Sequence, residues 1–210
     1  MKDFIPLFPL KMVVFPDENL NLHIFEPRYK QLIRECEQNG TTFGVPAFID
    51  NKIMDFGTEL QLVNIDKRFD NGEMDIKTRG IGVFRIEEFY RTTPNKLYSG
   101  ADIKRLKSAD EGDESLYELI RENINELFIS LDIKNNLEIE HTDFKTYHIA
   151  HHVGFSVTQE YQFLCMASEK LRQEYMIDHM LKLIPVIREM ERLKKRAQLN
   201  GHFKNIIPPA

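Results

Sequence analysis

The hydrophobic period of this sequence changes near its middle, and no other feature constrains the fold as strongly. Before residue 108, short apolar runs are separated by Pro, Gly and Asn, which is typical of β-strands joined by turns. After residue 115, apolar residues recur at spacings of three and four, which is typical of amphipathic helices. The acidic segment 108–115 has no apolar side chain larger than that of alanine. The sequence therefore predicts a strand-rich part, a solvated junction and a helical part.

One helix is predicted within the strand-rich part. Pro27 has the fixed φ that suits the first turn of a helix, and Asn39-Gly40 is a typical C-terminal stop. The residues between them that would form its apolar face at helical spacing are Tyr29, Leu32, Ile33 and Cys36.

The Asn71-Gly72 pair predicts a β-hairpin, since this dipeptide is preferred in a two-residue type I′ turn. The pairs that such a turn would place opposite each other include Arg68 with Asp75, Asp66 with Lys77, Phe69 with Met74 and Ile65 with Thr78. Further from the turn, the apolar alternation slips by one residue beside Gly80 and Gly82. Such slips predict β-bulges, and bulges that bend the sheet predict a small, partly closed barrel.

The sequence predicts four helices in the helical part. Their predicted positions are an apolar stripe over 116–131, a helix over 144–153 that ends at Gly154, a helix opened by the capping-box spacing of Ser156 and Gln159, and a long helix from Ser168 to Asn200-Gly201. The predicted apolar side of this last helix consists of Leu171, Tyr175, Leu181, Ile184, Ile187 and Met190.

Composition excludes several classes of protein. Hydrophobic residues make up 42% of the chain and charged residues 29%, which is ordinary for a globular protein. No apolar run approaches the roughly 20 residues of a membrane span, and no signal-peptide pattern opens the chain, so we expect a cytoplasmic location. Residues 1–108 carry 16 basic and 16 acidic residues, and the net charge of −5 lies in the remainder, which argues against nucleic acid as a partner. No cofactor is predicted, because phosphate-binding, dinucleotide-binding and GxSxG motifs are absent from the sequence.

The segment from Ile5 to Leu32 carries motifs that identify a family. It reads PLFPL, then Phe15-Pro16, then LHIFEPRY from Leu22 to Tyr29. This succession resembles the opening of the Lon protease N-terminal domain family. The resemblance is strongest over residues 5–46 and weaker through the segment 78–86. The family often has Gly after the Phe-Pro step, where this chain has Asp17.

The resemblance implies an α+β fold, in which a PUA-like β pseudo-barrel with one helix precedes an α-helical bundle. We accordingly expect a β-domain over 1–108, a helical bundle over 115–201 and a C-terminal tail over 202–210. The resemblance also implies a stand-alone recognition domain without ATPase or peptidase, and therefore no enzyme. The expected partners are unfolded or degron-bearing polypeptides or a partner protein, in connection with proteolysis or protein quality control.

The strand-to-helix corner is the candidate contact site. A carboxylate, a guanidinium and aromatic groups converge there, and the candidate residues are His23, Phe25, Glu26, Arg28 and Tyr29. The alternative is that these residues only build the corner, with Pro27 starting the helix and Tyr29 packed beneath it.

Two other classes of function stay open at the level of sequence. PUA-like barrels resemble RNA-binding domains, and the family that the sequence resembles includes a member with a small-ligand site outside this type of domain. Nucleic-acid or small-ligand binding is therefore the alternative function. The HIAHH segment places His148 beside His151 and His152 at helical spacing, as a metal site requires. No further ligand is fixed relative to these imidazoles, so a solvated histidine cluster is the competing interpretation.

Overall fold

The structure is a computed structural model that describes residues 3–107, 112–134, 137 and 144–203, the last five by their backbone alone. Its strands are β1 (Asp3–Pro6), β2 (Asn19–Ile24), β3 (Phe43–Ile49), β4 (Lys52–Arg68), β5 (Met74–Tyr90) and β6 (Gly100–Leu106). Its helices are α1 (Pro27–Asn39), α2 (Glu114–Ser130), a 3₁₀-helix (Thr146–His152), α3 (Val157–Leu164) and α4 (Glu169–Phe203). Within this part of the chain, no helix is both long enough and apolar enough to cross a membrane.

The strands form one antiparallel sheet in the order β1-β6-β5-β4-β3, and β2 pairs with the first half of β5. The chain that follows β1 brings the two ends of this sheet together. Leu7 forms a parallel bridge with Gly44 of β3, and Leu10 forms another with Ala47. The sheet therefore closes on itself in part, as the sequence predicts.

The predicted bulges are confirmed. The pairing of β4 with β5 shifts register between Leu62 and Asn64, and again between Glu59 and Leu60, which pair with Gly82 and Gly80. A further shift, between Ile86 and Glu88 in the pairing of β5 with β6, was not predicted. A bulge adds local twist to a strand. The two 17-residue strands can therefore curve around the core instead of extending as a flat ribbon.

The predicted register of the β4–β5 hairpin is wrong by one residue. In the Asn71-Gly72 pair only Gly72 has a positive φ (78°), so no type I′ turn forms. Instead, the Phe69 amide N–H donates to the Glu73 carbonyl oxygen at 2.9 Å, and three residues form the loop. The predicted partners are replaced by pairings that include Arg68 with Met74, Lys67 with Asp75 and Ile65 with Ile76. The Asp66–Lys77 ion pair forms nevertheless, at 2.9 Å.

The two-residue turn lies one hairpin earlier. Asp50 (φ 48°) and Asn51 (φ 59°) both have left-handed backbones between Ile49 and Lys52, which pair with each other. Asp and Asn tolerate this conformation better than other non-glycine residues do. Asp17, at the position where the family often has Gly, also has a left-handed φ of 64°.

Helix α1 forms as predicted. It begins at Pro27, ends at Asn39, and Gly40 adopts a left-handed φ of 63° while its N–H donates to the Cys36 carbonyl oxygen. All four predicted apolar residues are buried. They pack on β-sheet residues such as Phe43 and Met74, and burying each large side chain contributes about 1.5–3 kcal/mol.

The chain divides into two compact units, and this division differs from the predicted one. The first unit comprises 1–109 and 147–167, and the second comprises 110–146 and 168–210. The sequence predicts residues 147–167 to lie in the helical bundle. They belong to the β-unit because their aromatic side chains contact Phe15, whose ring centroid lies 5.2 Å from that of Tyr147 and 6.0 Å from that of Phe163.

The local predictions for this segment are confirmed. Ser156 and Gln159 form a capping box at the start of α3, and Gly154 has a left-handed φ of 80°. The helix predicted over 144–153 is a 3₁₀-helix over 146–152.

The second unit is built from α2 and α4. Ser168 caps α4 as predicted, since the Leu171 N–H donates to its hydroxyl oxygen at 3.2 Å. The predicted apolar side of α4 is wrong for Leu171, Leu181 and Met190, which are more than half exposed. It is correct for Ile184, which is buried, while Tyr175 and Ile187 are half-buried. The other buried residues of the helix are Glu169, Arg172, Gln173, Met176 and Met180. The helix passes the predicted stop at Asn200-Gly201 and continues to Phe203, and the rest of the predicted tail, 204–210, lies outside the described residues.

Candidate functional site

The predicted site residues lie where β2 passes into α1, and the structure divides them between two surfaces. Glu26 has an extended backbone (φ −71°, ψ 136°) and precedes Pro27 at the first turn of α1. Because of this corner, the residues before Pro27 follow the sheet, whereas those after it follow the helix.

The first surface is formed by His23 and Phe25 with the β4–β5 hairpin. His23 Nδ1 lies 2.7 Å from Asp75 Oδ1, and its Nε2 lies 3.2 Å from Glu73 Oε2. The hydrogen bond with Asp75 is the main reason that the pKa of His23 is raised. The Phe25 side chain is 59% exposed and stacks on the imidazole with ring centroids 6.2 Å apart.

The second surface includes Arg28 and Tyr29. The Arg28 guanidinium pairs with Glu26 at 2.7 Å and lies over the Tyr29 ring, 4.6 Å from its centroid. Tyr29 is buried edge-on against Phe8, with centroids 3.9 Å apart, and burial raises the pKa of its hydroxyl. Tyr29 therefore serves mainly as a core residue, while Arg28 keeps about half of its side chain exposed.

Arg28 and Tyr29 border a groove of about 850 Å³ in the first unit, which we call the barrel groove. His23, Phe25 and Glu26 do not border it. The apolar residues of its lining are Pro9, Phe48, Ile53, Ile86, Phe89 and Leu97. Phe89 and Leu97 are 42% and 65% exposed, which makes them apolar contacts that are open to a partner.

The charges along the barrel groove are mainly positive. Arg28, Lys52 and Arg91 border it, together with one carboxylate, Asp55. Within the described part of the chain, Lys52 and Arg91 have no ion-pair partner. The groove thus combines an apolar lining with cations whose charge is not compensated by a neighbouring side chain.

A second depression of about 600 Å³ lies along the exposed side of α1 and shares Leu97 with the barrel groove. Lys30 and Arg34 border it, and so does Glu35. The Glu35 carboxylate already accepts hydrogen bonds from Lys96 at 2.8 Å and from the Tyr98 hydroxyl. The positive character of the barrel groove therefore extends along α1.

Sequence reasoning missed most of the barrel groove. Phe48, Phe89, Arg91 and Leu97 come from β3, the end of β5 and the connection to β6. Leu97 carried a signal, because it is a large apolar residue in the turn-rich segment 91–99, where no strand or helix face is present to bury it. The other three looked like ordinary strand and loop residues.

In the HIAHH segment, His151 contacts two carboxylates. His151 Nδ1 lies 2.7 Å from Glu160 Oε1, and its Nε2 lies 3.2 Å from Glu18 Oε2. The hydrogen bond with Glu160, followed by that with Glu18, raises the pKa of His151 to about 9. In residues 3–107, 112–134, 137 and 144–203, no group of three or more His, Cys, Asp or Glu side chains is arranged to hold a metal ion.

The architecture is that of an antiparallel pseudo-barrel with one N-terminal helix and a helical second part, and it is shared with known N-terminal domains of Lon proteases. A Lon N-terminal domain protein from Xanthomonas campestris is similar with a TM-score of 0.65 at 24% identity, covering 83% of this chain and 97% of that one. The N-terminal domain of a Mycobacterium avium complex Lon protease is similar with a TM-score of 0.64 at 14% identity, covering 85% and 98%. At such identities the likeness shows the fold.

The family follows from the sequence match. Residues 5–182 match the family model for the ATP-dependent protease La (LON) substrate-binding domain. Since this match covers most of the chain, the protein belongs to the LON substrate-binding domain family. The predicted family and fold class are both confirmed.

Proposed function

We propose that this protein is a non-catalytic polypeptide-recognition module that uses the barrel groove as its main contact surface. The observation that carries the proposal is the combination of exposed Phe89 and Leu97 with the groove that they border. Its volume of about 850 Å³ lies within the range of about 300–1,000 Å³ that is typical of ligand sites. Family membership supports the same function, because the matched domain is named for substrate binding.

The mode of contact that fits this surface is apolar burial of partner side chains. Exposed aromatic and aliphatic residues bind unfolded segments with little sequence specificity, because apolar contact is not directional. The expected partners are unfolded or degron-bearing polypeptides, and the expected setting is cytoplasmic proteolysis or protein quality control. In this proposal the module binds and presents a chain but breaks no bond in it.

The corner surface of His23 and Phe25 is a second contact area in the proposal. Phe25 presents an exposed ring on a rigid support, since His23 is held by two carboxylates. Arg28 is the one predicted site residue that borders the barrel groove and also remains half exposed. We therefore rank the barrel groove first and the corner surface second.

The test is binding of a fluorescently labelled unfolded polypeptide, one that has been reduced and alkylated so that it cannot refold. The double variant Phe89→Ser/Leu97→Ser should weaken binding at least about tenfold, because truncation of interface anchors commonly costs more than about 1 kcal/mol each. Both side chains are exposed, so the fold should be retained. Phe25→Ser should weaken binding less.

The matched control is Ile129→Ser in α2, which removes a side chain that is 79% exposed in the other unit. It should leave binding unchanged. If the groove variant binds as the unaltered protein does, the barrel groove is not the contact surface. Salt-sensitive binding of RNA, with no binding of unfolded polypeptide, would favour the nucleic-acid alternative.

A further inference from the structure

We infer that the barrel groove selects acidic apolar segments, that is, extended polypeptides in which apolar side chains are flanked by Asp or Glu. This inference rests on the proposed function and adds the chemical class of the partner. It is carried by the uncompensated cations beside the apolar lining.

The barrel groove is more positive than the chain around it. The whole chain has a net charge of −5, and residues 1–108 are neutral by count. The barrel groove nevertheless presents three cations, Arg28, Lys52 and Arg91, against the single carboxylate of Asp55. A positive site on a part of the chain without net charge attracts anions locally and repels basic segments.

Two of the three cations at the barrel groove are exposed and have no ion-pair partner among the described residues. Arg28 is partly neutralised by Glu26 at 2.7 Å. Lys52 and Arg91 have no ion-pair partner in the described part of the chain, and both are exposed. An unpaired guanidinium can bind a carboxylate through two parallel hydrogen bonds, so Arg91 is the stronger candidate of the two.

Apolar and cationic residues lie close together along the strands that border the barrel groove. Phe89 and Arg91 are two residues apart at the end of β5, so an apolar contact and a carboxylate contact lie side by side. Lys52 likewise adjoins Ile53 at the start of β4. Side chains two residues apart share one face of an extended chain, so a bound segment would satisfy both contacts by placing an apolar and an acidic residue at positions i and i+2.

The same features favour a polypeptide over a nucleic acid. Most of the apolar lining, including Ile53, Ile86 and Leu97, is aliphatic and offers no ring for base stacking, and of its aromatic side chains Phe48 is half-buried and Phe89 is exposed. Tyr29 is buried against Phe8 and cannot present its full face.

The experiment compares three labelled peptides that share their Leu residues, have amidated C-termini, and carry Glu, Gln or Lys two residues from each Leu, so that both side chains share one face of the extended peptide. The Glu peptide should bind roughly five- to tenfold more tightly than the Gln peptide, and the Lys peptide should bind most weakly. The preference should shrink as salt is raised, because exposed ion pairs are screened.

The variant Lys52→Glu/Arg91→Glu should abolish the preference for the Glu peptide over the Gln peptide, because it removes both unpaired cations and adds two carboxylates that repel Glu. The matched control is Arg85→Glu, since Arg85 is also exposed on β5 and has no ion-pair partner among the described residues, but does not border the groove. It should retain the full preference.

The outcomes separate this inference from the proposed function. Equal binding of the Glu and Gln peptides would overturn the selectivity and leave polypeptide recognition in place. Failure of all three peptides and of the unfolded polypeptide to bind would overturn the proposed function. Tighter binding of a single-stranded RNA oligonucleotide than of the Glu peptide would overturn the inference in favour of a nucleic-acid partner.

Discussion

At the scale of single residues, two glycines of β5 show how strictly the barrel is packed. A Cβ atom added to Gly80 would lie 2.4 Å from the carbonyl oxygen of Phe15, whereas one added to Gly82 would meet nothing within 4 Å. The close approach at Gly80 lets its backbone exchange hydrogen bonds of 2.9 Å with Asp17 and Glu18. The absence of a side chain at Gly80 therefore holds the Phe15–Glu18 loop against the sheet.

We predict that Gly80→Ala destabilises the protein and that Gly82→Ala does not. The methyl group at residue 80 would push the loop away from β5, which should lower the free energy of unfolding by about 1–3 kcal/mol. The change at residue 82 should stay within about 0.5 kcal/mol. Urea denaturation followed by circular dichroism measures both values, and equal stabilities of the two variants would contradict this account.

At the scale of elements, the 3₁₀-helix and α3 are fixed to the β-unit by His151. Its imidazole lies between Glu160 and Glu18 and contacts the Phe15 ring, with centroids 4.9 Å apart. The Glu18 carboxylate also accepts the Phe15 N–H at 2.8 Å. One protonated imidazole thus links a helix that the sequence assigns to the bundle to a loop of the barrel.

We predict that the stability of the β-unit falls when His151 loses its proton. The pKa of His151 is about 9 in the folded protein, above its ordinary value of 6.5. The stabilisation is therefore complete below about pH 6.5 and is lost as the pH rises through about 9. At 1.36 kcal/mol per pKa unit the shift corresponds to about 3 kcal/mol, and because the His151 side chain is about one-third exposed, solvent screening should reduce this to roughly 1–2 kcal/mol.

The measurement is the denaturation midpoint at pH 6.5 and pH 9.5 for the unaltered protein and for His151→Gln. The loss of stability between these pH values should be smaller in His151→Gln. His152→Gln, an exposed neighbour on the same 3₁₀-helix, is the control and should keep the full loss. An identical pH dependence in all three proteins would rule out this role of His151.

At the scale of the whole molecule, both units have an apolar core. The β-unit has apolar clusters beneath α1 and within the barrel, and the second unit buries residues such as Ile120, Ile124 and Met180. The second unit also buries an ion pair, Glu169 with Arg172, whose side chains are 1% and 4% exposed. Glu169 also accepts hydrogen bonds from the Tyr117 hydroxyl at 2.8 Å and from the Thr146 N–H at 2.7 Å.

We predict that Glu169→Gln destabilises the second unit by about 3–5 kcal/mol, because it removes the negative member of a buried, hydrogen-bonded ion pair. The double variant Glu169→Gln/Arg172→Met should recover part of this loss, since it removes both charges. Hydrogen exchange should increase chiefly in peptides from α2 and α4.

The same helix supplies a matched control. Glu189 and Arg192 have the same three-residue spacing but are exposed, so Glu189→Gln should change stability by less than about 0.5 kcal/mol. If Glu169→Gln and Glu189→Gln have equal effects, the buried pair does not stabilise the second unit.

Much of the local structure can be predicted from neighbouring residues. The bounds of α1, the capping box of α3, the cap at Ser168 and the bulged, partly closed sheet all follow from the sequence. Each depends on φ preferences, short-range hydrogen bonds or an apolar period within a few residues. Such interactions are the same whatever the rest of the chain does. The motifs between Ile5 and Leu32 likewise indicate the family by their residues alone.

The features that bear on function required the folded chain. The hairpin register differs from the predicted one by one residue, because the loop that ends at Gly72 has three residues and not two. Residues 147–167 joined the β-unit because Phe15 and Glu18 contact them across more than 100 positions of sequence. The barrel groove exists because β3, β4, β5 and α1 meet around it. Contacts between distant segments are set by packing, so no window of sequence contains them.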